Sequence, residues 1–304
     1  MPAYKAPLND IKFVLKDVFN AYELWSSMDA TRDVTSDLVA AILGEGAKIC
    51  ETMLAPLNRE GDETGCQFNN GEVATPKGFK EAYQTFAAGG WQGLGGHPAY
   101  GGQGLPKMLT VLFEEMVWAS NSAFALYPSL STGCSLALET HAGDEIKNIY
   151  LEKLYTGQWT GTMCLTEAHA GTDLGIIKTR AVDNNDGSYS ITGTKIFITG
   201  GEHDYVENIV HLVLAKLPDA PAGVKGISLF LVPKYIVNEE GELGERNGAT
   251  CGSIEHKMGI KAASTCVMNF DNAKAYLIGK LNEGMACMFT MMNYERLSIG
   301  IQGL

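Results

Sequence analysis

The period of the apolar residues changes once along this 304-residue chain, and the change falls at Gly157. Before it, apolar side chains recur every three to four positions; after it, they alternate. A helical pattern does not pack as a strand, nor a strand pattern as a helix, so the chain folds as a helical unit followed by a sheet. The fold class is α+β and multidomain, since single cores rarely grow past about 250–300 residues. An all-α part ends at residue 158, a mostly antiparallel sheet or barrel of six to eight strands fills 159–278, and residues 279–304 open a further helix.

Leu8, Ile11, Leu15, Val18 and Tyr22 predict one amphipathic helix over 8–24. A second helix runs from a Ser36 cap through Leu38, Ile42, Ile49, Met53 and Leu57, with Pro56 in its closing turn. Asn58 to Glu72 reads as a connector, and Thr75-Pro76 as a capped helix start before Phe79, Tyr83 and Phe86. Glycines from Gly89 to Gly104 make a long loop. Helices follow from Pro106, over Ala123 to His141 and over Asp144 to Tyr155. Asn184-Asn185-Asp186-Gly187 is a hairpin turn between Lys178–Val182 and Tyr189–Thr192. Lys195–Thr199, Ile209–Ala215, Gly226–Val232 and Thr265–Phe270 read as further strands. Met288, Met291, Met292, Tyr294 and Leu297 mark the final helix.

A net charge of −12 disfavours nucleic acid and anionic membrane surfaces as partners. The longest apolar runs, such as Ile227 to Val232, fall far short of the roughly 20 residues of a membrane helix. Met1 to Lys5 has neither a secretory nor an organelle-targeting pattern, so a cytoplasmic protein is expected. Seven cysteines without a Cys-x-x-Cys pair read as buried free thiols, and the histidines form no zinc motif. Gly93-x-Gly95 is followed by Pro98 where a third glycine belongs, so the dinucleotide fingerprint fails.

Met163 to Gly175 is the segment with most chemistry: a strand gives way to small and hydroxylated residues whose backbone a ligand can approach. On its own it is either a glycine turn or a ligand cradle. Its wording, Cys164-Leu165-Thr166-Glu167-x-x-Ala170-Gly171-Thr172-Asp173, resembles the first signature of the acyl-CoA dehydrogenases. Lys195-Ile196-Phe197-Ile198-Thr199-Gly200-Gly201 resembles their second flavin-contacting strand. Tyr100-Gly101-Gly102-Gln103-Gly104-Leu105 and Glu255-His256-Lys257-Met258-Gly259-Ile260 resemble further family motifs, in the family's order. The extension over residues 1–35, with Tyr4 to Trp25, the phrase Gly201-Glu202-His203-Asp204 and Asn208 to Ala215 are similar to the long branch of that family.

The resemblance implies an FAD enzyme that oxidises the Cα–Cβ bond of an acyl-CoA thioester. A carboxylate takes the α-proton and flavin N5 takes the β-hydride. It places Met163, Leu165, Thr166, Gly171, Thr172, Phe197, Ile198 and Thr199 against the flavin, with Thr172 also facing the pantetheine arm. Asn293, Tyr294, Glu295 and Arg296 match the segment that meets coenzyme A, Arg296 being the cation for its anionic end. Ala168 stands where proline is usual, Ile176 where a small residue is, and Phe197 where many relatives have tryptophan. The family's base and the rest of a C-terminal helical domain are expected beyond Leu304, so no catalytic residue is assigned and these 304 residues alone are expected to be inactive. Glu167, Glu202 and Asp204 are weaker candidates, the first lying in the flavin loop and the others in what reads as a hydrogen-bonded turn. Electron-transfer flavoprotein as acceptor and a homodimer or homotetramer are further expectations. A non-catalytic acyl-CoA or protein-binding module and an acyl-CoA oxidase are the alternatives. Phe124 and Tyr127, on the helix that limits the acyl cavity in relatives, suggest a short or medium acyl chain.

Overall fold

The computed structural model describes residues 3–304. Helices α1 (Leu8–Phe13) and α2 (Ala21–Ser26) replace the single helix expected over 8–24. A five-residue π turn, Val14–Val18, follows α1, and Asn20 then adopts φ 47°. Asparagine tolerates this left-handed conformation, so the chain breaks there and redirects α2. Leu15 and Trp25 still reach the helical core.

Thr35, not Ser36, caps α3 (Ser36–Ile49): its side chain accepts the Leu38 N–H at 3.2 Å. The helix does not close at Pro56. A π turn at Cys50–Leu54 leads into α4 (Ala55–Thr64), where Pro56 occupies the first turn and its missing N–H breaks no ladder. The expected connector is thus partly helix, followed by a small hairpin, β1 (Gln67–Asn69) and β2 (Glu72–Ala74). Thr75 does not cap a helix either. Its hydroxyl donates to Asp204 Oδ1 at 2.7 Å, tying the helical part to the sheet, and α5 (Phe79–Ala88) begins only after Gly78. Helices α6 (Lys107–Ser120), α7 (Ser122–His141) and α8 (Asp144–Tyr155) follow the pattern read from sequence.

The sheet begins with β3 (Trp159–Cys164) and continues through β4 (Arg180–Asp183), β5 (Tyr189–Thr199), β6 (Asn208–Lys216) and β7 (Ile227–Pro233). A two-stranded excursion, β8 (Tyr235–Val237) and β9 (Leu243–Arg246), precedes β10 (Ala249–Ile254) and β11 (Thr265–Ile278). Exposed, charged β9 lacks the apolar alternation that reveals a strand. Pairing runs β11–β5–β4–β6–β7 and back to β11, closing a small barrel flanked by β10 and β3. Only β3 and β4 pair in parallel with β6.

Strands β6 and β7 are buried on both faces, which explains their near-continuous apolar runs, interrupted only by His211 and Ser228. Val210, Leu212, Leu214, Leu229 and Leu231 join a core with Leu138, Leu154, Met288 and Met291. Their neighbours Val213, Ala215, Phe230 and Val232 fill the barrel with Ile191, Ile198 and Phe270. The last helix, α9 (Gly284–Gln302), is pressed onto β7: a Cβ on Gly284 would lie 2.3 Å from the Ser228 carbonyl carbon, so only glycine fits. Among the described residues no helix is long and apolar enough to cross a membrane. All seven cysteines are free and six are buried.

Candidate functional site

The end of β3 and the end of β5 lie side by side. The Thr162 hydroxyl donates to the Thr199 carbonyl at 2.9 Å, and the Ile196 N–H to the Thr166 carbonyl at 2.8 Å. Beyond Thr166 the chain turns tightly, Glu167 and Ala170 exchanging backbone bonds of 3.0 and 2.9 Å. That leaves Ala168 and His169 exposed and carries Gly171 and Thr172 outward. Farther on, Asp173 Oδ1 accepts the Gly175 N–H at 2.8 Å and Lys216 Nζ donates to the Gly175 carbonyl at 2.6 Å. The loop is held at both ends and open between them.

A buried ion pair fixes the near end. Lys195 is fully buried and Glu167 is 4% exposed, with Nζ 2.8 Å from Oε1. Lys195 also donates to the Leu165 carbonyl at 2.9 Å. Glu167 accepts from the Thr179 hydroxyl and N–H at 2.7 and 3.0 Å and from the Lys178 N–H at 2.7 Å. Burial by itself raises the Glu167 carboxyl, but the Lys195 bond and charge, with the other donors, hold it at about 2. Burial pulls the Lys195 ammonium down against the opposing pull of Glu167. Glu167 is therefore a fully engaged anion that clamps the loop to β5, not a free base. Sequence reading missed this pair, although counting by twos inward from Ile191 puts Lys195 on the barrel side, where a charge demands a partner.

Just past Lys195 the strand bulges: Lys195 faces Met268 but Ile198 faces Cys266, so β5 carries one extra residue. The bulge places Phe197 at φ 60° and leaves the residue 59% exposed. A phenylalanine in the left-handed region costs about 1–2 kcal/mol. An aromatic held out of the core at that expense marks a binding surface. Phe197→Gly is expected to raise the unfolding free energy by about 1 kcal/mol in urea titration, because glycine relieves the strain and little packing is lost.

Around Phe197 stand Thr166 and Thr199, both half-buried. The Thr166 carbonyl accepts the Ile196 N–H and the Thr199 carbonyl accepts the Thr162 hydroxyl, while neither threonine hydroxyl has a side-chain bond among the described residues, leaving both for a ligand. Met163 is half-buried and Leu165 is 8% exposed, both against the core shared with α7 and α9. Ile198 points into the barrel, 2% exposed, so only its backbone is left to meet a ligand. A Cβ on Gly171 would have nothing within 4 Å, consistent with an open cradle.

The four residues singled out on α9 part company. Asn293 and Arg296 are exposed and bonded to each other, Nη1 to Oδ1, at 2.6 Å. Tyr294 and Glu295 turn inward: the Tyr294 hydroxyl donates to Glu114 Oε1 at 2.9 Å, and Ser129 Oγ donates to Glu295 Oε2 at 3.0 Å. Burial, with Glu114 nearby, pushes the Glu295 carboxyl up to about 8 against the Ser129 bond, so it carries its proton at neutral pH. Its 3.6-residue spacing is the clue that would have revealed the inward face, since Met288, Met291 and Ser298 share it.

Other candidates are engaged elsewhere. Glu202 binds Lys234 at 2.5 Å and Arg246 at 3.2 Å, and Asp204 accepts from Thr75, so the Glu202–Asp204 segment is a structural turn. Phe124 is fully buried and packs with Tyr83, Phe86 and Tyr205 in the helical core. The Tyr127 hydroxyl accepts the Ser264 N–H at 2.9 Å.

The family profile described as acyl-CoA dehydrogenase, N-terminal domain, matches residues 39–158, and that described as acyl-CoA dehydrogenase, middle domain, matches residues 162–273. The chain belongs to the acyl-CoA dehydrogenase family. Within that family it is 46% identical over 305 residues to a 3-methylmercaptopropionyl-CoA dehydrogenase of Ruegeria pomeroyi, covering 99% of this chain and 51% of the relative. It is similar to the butyryl-CoA dehydrogenase structure from Megasphaera elsdenii, with 25% identity and a TM-score of 0.72 over 88% of this chain and 65% of that one. An acyl-CoA dehydrogenase from Bacillus anthracis, solved complexed with FAD, shares the fold at 24% identity and a TM-score of 0.71, covering 88% of this chain and 41% of that one. The chain spans about half the length of the curated relatives it matches.

Proposed function

We propose that this acyl-CoA dehydrogenase chain supplies one wall of an FAD site and takes part in α,β-dehydrogenation of an acyl-CoA thioester. The observation that carries the reading is Phe197, strained and exposed beside Thr166 and Thr199, on a loop clamped by Glu167 and Lys195. An exposed aromatic flanked by free hydroxyls and an open glycine suits a planar ligand with polar edges. Met163, Leu165, Thr166, Gly171, Thr172, Phe197, Ile198 and Thr199 would hold the flavin, Ile198 through its backbone. FAD, when bound, accepts the hydride from the substrate's β-carbon.

The chain's own part is positional. The clamp keeps the Thr166 and Thr199 hydroxyls in place without reorganisation when ligand arrives. Thr172 would meet the pantetheine arm. Asn293 and Arg296 would face the anionic end of coenzyme A, with Tyr294 and Glu295 bracing them from within α9. We divide the chain at residues 35, 158 and 278 and take electron-transfer flavoprotein as acceptor and a homo-oligomer as the working assembly. 3-Methylmercaptopropionyl-CoA is the first substrate to assay, on the strength of the Ruegeria relative.

In a full-length version, as long as the relatives, we expect yellow protein whose flavin absorbance bleaches on anaerobic addition of an acyl-CoA. Phe197→Ala together with Thr166→Ala should lower flavin retention at least ten-fold. Protein that folds but keeps no flavin would sink the reading; oxygen uptake during turnover would convert it to an oxidase.

A further inference from the structure

The bulge that turns Phe197 outward has an anchor on each side. Upstream it is the Glu167–Lys195 clamp. Downstream the ladder resumes with Thr199 facing Thr265, and the Gly200 N–H then adds a last rung by donating to the Ser264 carbonyl at 2.9 Å. Ser264 lies just before β11 and is 1% exposed. All of its hydrogen-bonding groups are in use. Its N–H donates to the Tyr127 hydroxyl at 2.9 Å, its own hydroxyl donates to the Glu202 carbonyl at 2.8 Å, and its Oγ accepts from the Tyr127 hydroxyl at 3.4 Å. One buried serine, tied to α7, therefore holds both Gly200 and Glu202 on the segment that leaves β5.

A strand does not by itself fix where its extra residue sits. Moving that residue along by one position turns the side chains it passes to the other face. Phe197 at φ 60° adds a reason to move, since such strain persists only where the surroundings over-determine it. Sliding the bulge past Gly200 would relieve Phe197 and turn the Thr199 side chain over. It would also break the Gly200–Ser264 rung and draw the Glu202 carbonyl off the Ser264 hydroxyl. Gly200 turns beside Tyr127 at φ 62°, where a Cβ would lie 3.3 Å from the tyrosine ring.

We propose that Tyr127 and Ser264 are positioning residues: they lock the register of β5 beyond its bulge, and with it the outward stance of Phe197 and the placement of the Thr199 hydroxyl. What those two side chains are for rests on the reading above. The lock itself is a property of this chain and is tested without flavin.

The probe is this chain labelled at its threonine methyls and at the Phe197 backbone. Tyr127→Phe leaves the buried Ser264 N–H without its acceptor. It should move the Thr199 methyl resonance and shift the Phe197 Cα resonance from left-handed toward extended values, in protein whose cooperative urea transition shows it folded. Ser264→Ala added to it should move both further the same way. In a Phe197→Gly background, Tyr127→Phe should move Thr199 only about a third as far or less, because a glycine bulge stores no strain to release. In a version extended to the relatives' length, Tyr127→Phe should lower flavin retention about ten-fold, the worth of one well-placed hydrogen bond, and shift the flavin absorption band. Unmoved Thr199 and Phe197 resonances, or equal movement with and without Phe197→Gly, would overturn the lock. Moved resonances with unchanged flavin retention and spectrum would overturn its positioning role. An extended native protein that folds but keeps no flavin would instead sink the reading above, the lock being decided by the resonances.

Discussion

Lys195→Met is expected to lower the unfolding free energy by about 3–5 kcal/mol, read from urea titration. The loss comes less from the missing attraction than from what remains: a carboxylate at Glu167, 4% exposed, with its principal counter-charge gone. Glu167→Met added to Lys195→Met should recover part of that stability, because an apolar pair of similar volume leaves no charge stranded, although the Lys178 and Thr179 donors lose their acceptor. Cofactor retention in a version extended to the relatives' length should not recover with it, since the bonds to Glu167 from Lys178 and Thr179 that shape the loop are lost in the double variant. If both properties return together, the clamp is a stability device and does not position the loop. The sign of its pH dependence follows from a carboxyl held at about 2 in the fold against about 4.3 in the unfolded chain. This contribution is present above pH ~4.5 and is lost as pH falls toward 2.

Glu295 works in the opposite direction. Its carboxyl is raised to about 8 in the fold, so the native state keeps a proton that the unfolded chain has already released above about pH 4.3. Stability should therefore fall as pH rises from ~4.5 to ~8 and level off beyond, by several kcal/mol in all. Glu295→Gln keeps the shape and the Ser129 contact but removes the titration. The variant's advantage in unfolding free energy over the native chain should grow from ~pH 4.5 to ~8, so that it exceeds the native chain's at pH ~8.5. Equal pH slopes for the two proteins would show that Glu295 is not held protonated. Glu167 thus loses support in acid and Glu295 in base, while His203 and His211, held at about 3 by burial against about 6.5 in the unfolded chain, add stability as pH rises toward ~6.5 and oppose Glu295 over that interval.

Much of the architecture was legible because apolar period survives wherever one face is buried. α8 is a case of that kind, whereas α7, β6 and β7, buried nearly all round, were legible as near-continuous apolar runs of helix or strand length. What escaped was local backbone that departs from period. The π turns at Val14–Val18 and Cys50–Leu54 insert residues that a helical count does not anticipate, so α1 seemed longer and Pro56 seemed terminal. Lys195–Thr199 was readable as a strand, yet the bulge that turns Phe197 outward depends on its pairing with β11, some seventy residues away. The candidate site shows the same divide. The loop after β3 and the end of β5 could be named from their wording, whereas the Glu167–Lys195 clamp and the split of α9 between exposed Asn293 and Arg296 and buried Tyr294 and Glu295 are products of tertiary contact.

Strands β6 and β7 send alternate side chains into two different cores, one shared with α7, α8 and α9 and the other inside the barrel. The helical and sheet portions are consequently bonded through a common wall rather than joined by a hinge. Gly157, where the apolar pattern changes, is a border in composition but not in cooperativity. Removing the helices would strip one face from Leu212, Leu229 and Leu231 and expose it to water, so the barrel is no free-standing module. Melting on either side of that wall is felt on the other.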